Sequence, residues 1–297
     1  MLAGEPLIAL IGLLFIFVCY ALFIGVEFVL LRVFGQEPNV AAPTAVDLLR
    51  AWASEVARTP AIFCWRQPFR AGAEPDFVSS ADRGRRSVLL VHGFMCNRAF
   101  WNPWMSALRS LGVPFAALSL EPPLASIDQF APSIDAAVGR LVGLTGRPPI
   151  IVAHSMGGLA VRAWMNRFQA ADRVHRVITV GSPHHGTWLA QFFHTPNGIQ
   201  MRRGSSWLEA LSAAESSASR SRFICFYGDC DNIVFPASTA TLPGADNRAV
   251  KATAHVQMAF SKPVFDTLLE VLDGDSREPA TLVTNSVTST GSRESIH

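Results

Sequence analysis

Three side chains, in one order along the chain, have the chemistry to split an acyl bond: Ser155, Asp231 and His255. A serine hydroxyl is a weak nucleophile at neutral pH. It attacks a carbonyl only when a histidine takes its proton and a carboxylate orients that histidine and stabilises its cation. Ser155 stands in Ile150-Ile151-Val152-Ala153-His154-Ser155-Met156-Gly157-Gly158, where an apolar run ends in a serine and two glycines follow. The pattern predicts a buried strand that turns at once into a helix. So sharp a turn crowds the positions two before and two after the serine, and these are the small residues Ala153 and Gly157. The competing possibility is that Ser155 merely caps a helix, its hydroxyl accepting a backbone N–H of the first turn.

Asp231 lies in Gly228-Asp229-Cys230-Asp231-Asn232-Ile233-Val234-Phe235-Pro236, after an apolar run at 223–227, and His255 closes Ala252-Thr253-Ala254-His255. An acid after one strand and a histidine after the next would both emerge at the C-terminal edge of a parallel sheet, beside Ser155. Asp229 competes for the acid role, whereas Asp246, in Pro243-Gly244-Ala245-Asp246-Asn247, has a turn pattern. Attack on a carbonyl creates an oxyanion that needs preorganised donors. The backbone N–H of Met156, at a helix start whose dipole favours negative charge, is one; that of Phe94, in Val91-His92-Gly93-Phe94, is the other. His92 is expected to brace that loop and His154 to be held in the turn, with His184 and His185 on the cleft wall and His175 and His194 at the surface.

The elements that must position these groups begin at Ser87. Apolar runs at 87–93 (SVLLVHG), 115–120 (FAALSL), 150–155 and 177–180 alternate with helical patterns at about 97–111, 126–144 and 156–168. Runs at 223–227 and about 250–253 and a helix at about 260–272 follow. Short apolar runs alternating with helices imply βαβ units and an open α/β domain with a mostly parallel sheet, spanning 87–274. The interval 188–221 interrupts the alternation as a cap-like insert. Its Trp188, Phe192, Phe193, Met201, Trp207 and Leu208 either contact an acyl chain or form the buried face of a surface helix.

Hydrophobic residues are 49% of the 297 and charged residues only 16%, and the apolar excess is concentrated near the N-terminus. Residues 7–26 carry no charge, and as a helix they would extend about 30 Å, the thickness of a bilayer core. Residues 1–34 are therefore expected to be a transmembrane anchor of a single-pass protein of the bacterial inner membrane, with membrane lipid as partner. A cleaved signal peptide, with Val40-Ala41-Ala42 as its site, competes. Against it, no Lys or Arg precedes the run, which exceeds the usual h-region of about 7 to 15 residues. Arg32 and Arg50 after the span weight the topology towards a cytoplasmic catalytic domain.

Residues 35–86 are expected to be a linker packed on the domain, with one amphipathic helix near 46–58. The Ser/Thr-rich tail 275–297 is expected to be disordered. With 25 Lys and Arg against 23 Asp and Glu and no basic run, the chain gives no sign of a nucleic-acid partner. It has neither GxGxxG nor GxxxxGK, and its five cysteines form no CxxC. Cys225 and Cys230 either pair or stay free.

The stretches VHGF with Cys96-Asn97-Arg98 and Trp101, AHSMGG, SPHHGT, Gln200-Met201-Arg202-Arg203-Gly204-Ser205 with Trp207-Leu208, and DNIVFP with His255 resemble the bacterial α/β-hydrolase lipases and esterases over about 87–272. The resemblance implies the α/β-hydrolase fold and hydrolysis of a small-molecule or lipid ester through an acyl-serine intermediate. It implies no metal and no organic cofactor. Thr253-Ala254 stands where the family has a glycine beside the histidine, and the tether is a second departure. A thioesterase or lysophospholipase would use the same triad, and a catalytically silent membrane-tethered scaffold would keep the fold alone. The oligomeric state is left open.

Overall fold

The computed structural model describes residues 5–37 and 42–276. The apolar runs pair into one six-stranded sheet: β1 (Val88–Val91), β2 (Phe115–Ala117), β3 (Ile150–His154), β4 (Arg176–Val180), β5 (Phe223–Gly228) and β6 (Asp246–Val250). The strand order is β2-β1-β3-β4-β5-β6, and every neighbouring pair is parallel. β1 and β3 are buried along their whole length, as strands of a parallel sheet covered on both faces must be.

Alternate residues serve opposite faces, the period of two that a strand imposes. Leu89, Val91, Ile151 and Ala153 pack with Ile134, Val138 and Leu141 of α5 (Ala131–Thr145) and with Leu159 and Trp164 of α6 (Met156–Arg167). Val88, Leu90, Ile150 and Val152 pack with Trp104, Met105 and Leu108 of α4 (Asn102–Ser110) and with Val264 and Leu268 of α11 (Lys262–Ser276). The insert holds α7 (Pro196–Gln200), α8 (Ser206–Ala214) and α9 (Ser217–Arg220), and α10 (His255–Ala259) precedes α11. The fully buried Arg162 of α6 fastens the insert. Its guanidinium grips Glu215 at 2.6 and 2.8 Å, and its remaining nitrogen donates to the His184 carbonyl at 2.8 Å.

Several boundaries differ from expectation. The last strand is not at 250–253 but at Asp246–Val250, paired with β5, so Asp246 opens a strand instead of sitting in the turn. An edge strand tolerates Asp-Asn-Arg on its open side, which hid its signal. β2 ends at Ala117, and the helix expected from 260 begins at Lys262, after the separate short α10. Residues 277–297, most of the expected disordered tail, lie outside the described residues, as do residues 40–41 of the signal-peptide cleavage motif.

At the N-terminus α1 (Glu5–Phe34) is followed by α2 (Ala45–Pro60), a π-helical turn (Ala61–Arg66) and α3 (Gln67–Phe69). α2 starts at a capping box: the Thr44 hydroxyl accepts the Asp47 N–H at 3.1 Å while the Asp47 carboxylate accepts the Thr44 N–H at 3.2 Å. Residues Leu7–Phe34 are long and apolar enough to cross a membrane. Residues 7–19 are exposed all round, but beyond them the stripe Ala21, Ile24, Phe28 and Leu31 is buried against Ala51, Val56, Phe235 and Ala254. The Trp52 indole N–H donates to the Ala21 carbonyl at 3.0 Å, so α1 and α2 are fixed to each other.

Candidate active site

Ser155 joins β3 to α6 with φ 54° and ψ −131°, a conformation that costs a non-glycine residue about 1–3 kcal/mol. Its N–H donates to the Val180 carbonyl at 2.9 Å, which ties the turn to β4. Ser155 occupies the position of an N-cap, yet its side chain makes no capping hydrogen bond. The hydroxyl is therefore not spent on the helix, and the simple cap is excluded.

The close approach at this turn involves β1 more than Ala153. A Cβ on Gly157 would lie 2.5 Å from the His92 carbonyl oxygen and 2.9 Å from that of Val91, and one on Gly93 would lie 2.7 Å from the Ser155 Cβ. Glycine at both positions lets the loop after β1 pass directly over the serine. His92 fixes that loop: buried, it donates from Nδ1 to the Gly93 carbonyl at 2.8 Å and accepts the Leu120 N–H on Nε2 at 2.9 Å. Burial presses its pKa down to about 4, against the hydrogen bond to Gly93, so the ring is neutral as these two bonds require.

Asp231 and His255 meet at the C-terminal edge of the sheet. The His255 Nδ1–H donates to the Asp231 carboxylate, with distances of 2.9 Å to Oδ1 and 3.0 Å to Oδ2. The carboxylate is aimed by the N–H groups of Ile233 and Val234, which Oδ1 accepts at 3.0 and 2.8 Å. Burial disfavours the imidazolium, but the Asp231 charge and hydrogen bond, with the Glu55 charge adding to them, hold the His255 pKa above its ordinary value. Asp229 faces elsewhere, accepting the Ala252 N–H at 2.7 Å in the turn after β6. Gly181, at φ 56°, leaves the pair its space: a Cβ there would stand 2.9 Å from Asp231 Oδ2 and 3.0 Å from His255 Nδ1.

Two further layers hold His255 in place. His154 lies stacked on Phe100, ring centroids 4.6 Å apart, and its Nε2 is 3.3 Å from the His255 carbonyl. The His255 N–H donates to Asn232 Oδ1 at 3.1 Å, and Asn232 Nδ2 donates in turn to Glu27 of α1 at 2.6 Å. The Glu55 carboxylate of α2 accepts the N–H groups of Val256 and Gln257 at 2.9 and 3.2 Å. Burial pushes the Glu55 pKa up, while the Val256 N–H and His255 oppose the rise. Sequence reasoning missed Glu27, Glu55 and Asn232. Glu55 had a legible signal, a carboxylate on the same helical stripe as the buried Ala51 and Thr59.

Ser155 and His255 share a cavity of about 360 Å³. From the insert, Phe193 and Met201 line it, as does the Phe94 side chain, whose ring meets Phe193 edge-on at 5.3 Å. The other four insert residues expected there do not line it. Leu208 is buried in the core, Trp207 donates from its indole to Asp128 at 2.8 Å, and Trp188 stacks on Phe34 at 4.0 Å with Phe192 against its edge. Their place is taken by the N-terminal segment: Tyr20, Phe23, Ile24 and Glu27 of α1, then Glu55 and Phe63.

His184 is no cleft wall; it is buried with Nε2 3.0 Å from the Thr179 hydroxyl, while His185 and His194 are exposed and His175 is half-buried. Cys225 and Cys230 are both free and buried. Among the described residues no group of three His, Cys, Asp or Glu side chains is placed to hold a metal.

A family model described as the alpha/beta hydrolase family matches residues 88–288, well over half of the chain. Among solved structures, the mature form of the lipase BlEst2 from Bacillus licheniformis aligns with a TM-score of 0.57 at 18% identity, covering 64% of this chain and 93% of that one. Lipase B from Aspergillus fumigatus aligns with a TM-score of 0.58 at 16% identity, covering 68% of this chain and 57% of that one. At such identities the likeness is one of fold. No curated protein sequence matches the chain.

Proposed function

The chain belongs to the alpha/beta hydrolase family, and from that premise we propose that it is a serine ester hydrolase working through an acyl-serine intermediate. The observation that carries the proposal is the convergence of an uncapped, strained Ser155 and a His255 paired with buried Asp231 on one apolar cavity. In this mechanism His255 Nε2 takes the Ser155 proton as Oγ bonds to the ester carbonyl carbon, and the carbonyl electron pair moves onto oxygen. The Met156 and Phe94 N–H groups receive that oxyanion, each such donor being worth about 10²–10³-fold in kcat. The intermediate collapses, the carbon–oxygen bond to the alcohol breaks, and the alcohol leaves with the proton held by His255. Water then repeats the sequence on the acyl-serine: it gives a proton to His255, its oxygen bonds to the acyl carbon, and Ser155 leaves with that proton. Asp231 stabilises the imidazolium at each stage.

Residues Leu7–Phe34 act as a membrane anchor in this reading. Retention of the helix is supported by its share in the cavity wall, since a cleaved signal peptide would carry Tyr20, Phe23, Ile24 and Glu27 away with it. Arg32 and Arg50 favour a cytoplasmic catalytic domain. Turnover of p-nitrophenyl esters of graded chain length by the full-length protein tests the function. Hydrolysis that Ser155→Ala abolishes is expected, and a wild-type protein inert towards all of them would overturn it.

A further inference from the structure

If Ser155 hydrolyses esters, as proposed above, the direction from which they arrive is written in the wall of the cavity. We propose that the cavity draws its substrate from within a lipid bilayer, through a mouth framed by Phe23, Phe63 and Phe193, and that this substrate is an acyl ester dissolved in the membrane. Of the large apolar side chains lining the cavity, these three reach the outer surface, with Phe23 67% exposed. The opening therefore lies between α1, the π-helical turn and the insert.

The surface around that opening suits hydrocarbon. α1 stays apolar on its outer face even where its inner face packs on the catalytic domain, since Leu22, Val26, Val29 and Val33 are all exposed. The apolar surface of the membrane-length helix thus continues past the mouth to Val29, one turn short of the exposed Arg32, and a monomer in water would expose all of it. Beyond Phe63 the rings of Trp65 and Phe69 meet at 5.5 Å and are 59% and 69% exposed, and Arg66 and Arg70 are interleaved with them. Exposed aromatics alternating with arginines are the chemistry of a membrane–water interface: the ring sits at headgroup depth and the guanidinium reaches lipid phosphate. The bilayer that takes up the free half of α1 is in position to cover this patch as well.

Inside the mouth, polar groups on the wall are already engaged. The Tyr20 hydroxyl is hydrogen-bonded to Thr59, Glu27 accepts from Asn232, and Glu55 accepts from Val256 and Gln257. What they leave facing the space is largely apolar, a lining for an acyl chain and not for a hydrated headgroup.

The test uses the full-length protein in phosphatidylcholine vesicles and two substrates, water-soluble p-nitrophenyl acetate and bilayer-dissolved 4-methylumbelliferyl oleate. In Trp65→Ser/Phe69→Ser the oleate rate is expected to fall at least about tenfold while the acetate rate stays within about twofold. An unchanged oleate rate, or equal loss on both substrates, overturns bilayer entry. Brominated phosphatidylcholine supplies a readout independent of activity. It should quench a component of tryptophan fluorescence that Trp65→Phe removes, and the absence of that component, whether water or a second copy of the chain covers the patch, also overturns the proposal. A wild-type protein that cleaves neither ester counts against ester hydrolysis itself, and a Ser155→Ala variant that still cleaves acetate counts against Ser155 as its nucleophile; the quenching result stands apart from either.

Discussion

The Glu55 carboxylate accepts the Val256 N–H at 2.9 Å, immediately after His255 and across two hundred residues of chain. A segment with the look of a linker thereby anchors the backbone of the proposed general base. Removing the carboxylate leaves the N–H groups of Val256 and Gln257 without it, a loss of about 1–3 kcal/mol for each buried group so orphaned. Glu55→Ala is expected to lower the melting temperature and kcat together. Because the Glu55 charge helps to raise the His255 pKa, the acid limb of kcat/KM should also move to lower pH in this variant. A purely structural role would leave that limb in place.

Asp231 and Asp229 separate cleanly by their partners. Asp231→Asn removes the charge facing His255 and is expected to cost about 10⁴-fold in kcat. The proposed mechanism requires neutral His255, and its raised pKa means that activity is lost as pH falls through a value above histidine's ordinary one. Without the Asp231 charge, burial dominates and the acid limb shifts down. Asp229→Asn loses only the carboxylate that accepts the Ala252 N–H, so kcat should change little and stability by about 1 kcal/mol. Parallel pH–rate profiles of the two variants check both expectations.

Gly157 has no room for a methyl group, with the His92 carbonyl oxygen 2.5 Å from where a Cβ would stand. Gly157→Ala is expected to push the Ser155 turn away from the end of β1, at about 1–3 kcal/mol by denaturant unfolding, with a larger loss in kcat than in binding. Ala153→Gly, by contrast, relieves no clash and should leave kcat nearly unchanged.

The buried Arg162–Glu215 pair joins the helix behind Ser155 to the insert. Glu215→Gln leaves an uncompensated guanidinium at a fully buried site, so a loss of about 3–5 kcal/mol is expected. Thermal unfolding monitored by circular dichroism measures it.

Much of the central sheet was legible because strands buried on both faces read as apolar runs: β1, β3 and β5 do so, and β4 does so from Val177 with only Thr179 interrupting. Asp231 and His255 were legible as well, each following a strand in the order that brings them together. β6 was misplaced because its edge position lets it carry Asp246, Asn247 and Arg248, and α10, with five residues, is too short to show a period. The cavity wall was the least legible part. Trp188, Trp207 and Leu208 spend their apolar surface on internal packing, while α1 is apolar all round up to Val26, so nothing in the pattern of that stretch distinguishes a lipid-facing residue from one facing the cavity. Only the isolated carboxylates Glu27 and Glu55 marked the faces that turn inward.

The central claim is that Ser155 is a nucleophile activated by His255. Mass spectrometry of the full-length protein after treatment with a fluorophosphonate probe tests it most directly. One phosphonylated peptide containing Ser155 is expected, absent in Ser155→Ala and strongly slowed in His255→Ala. A wild-type protein that stays unlabelled, or that is labelled at another residue, would contradict the account.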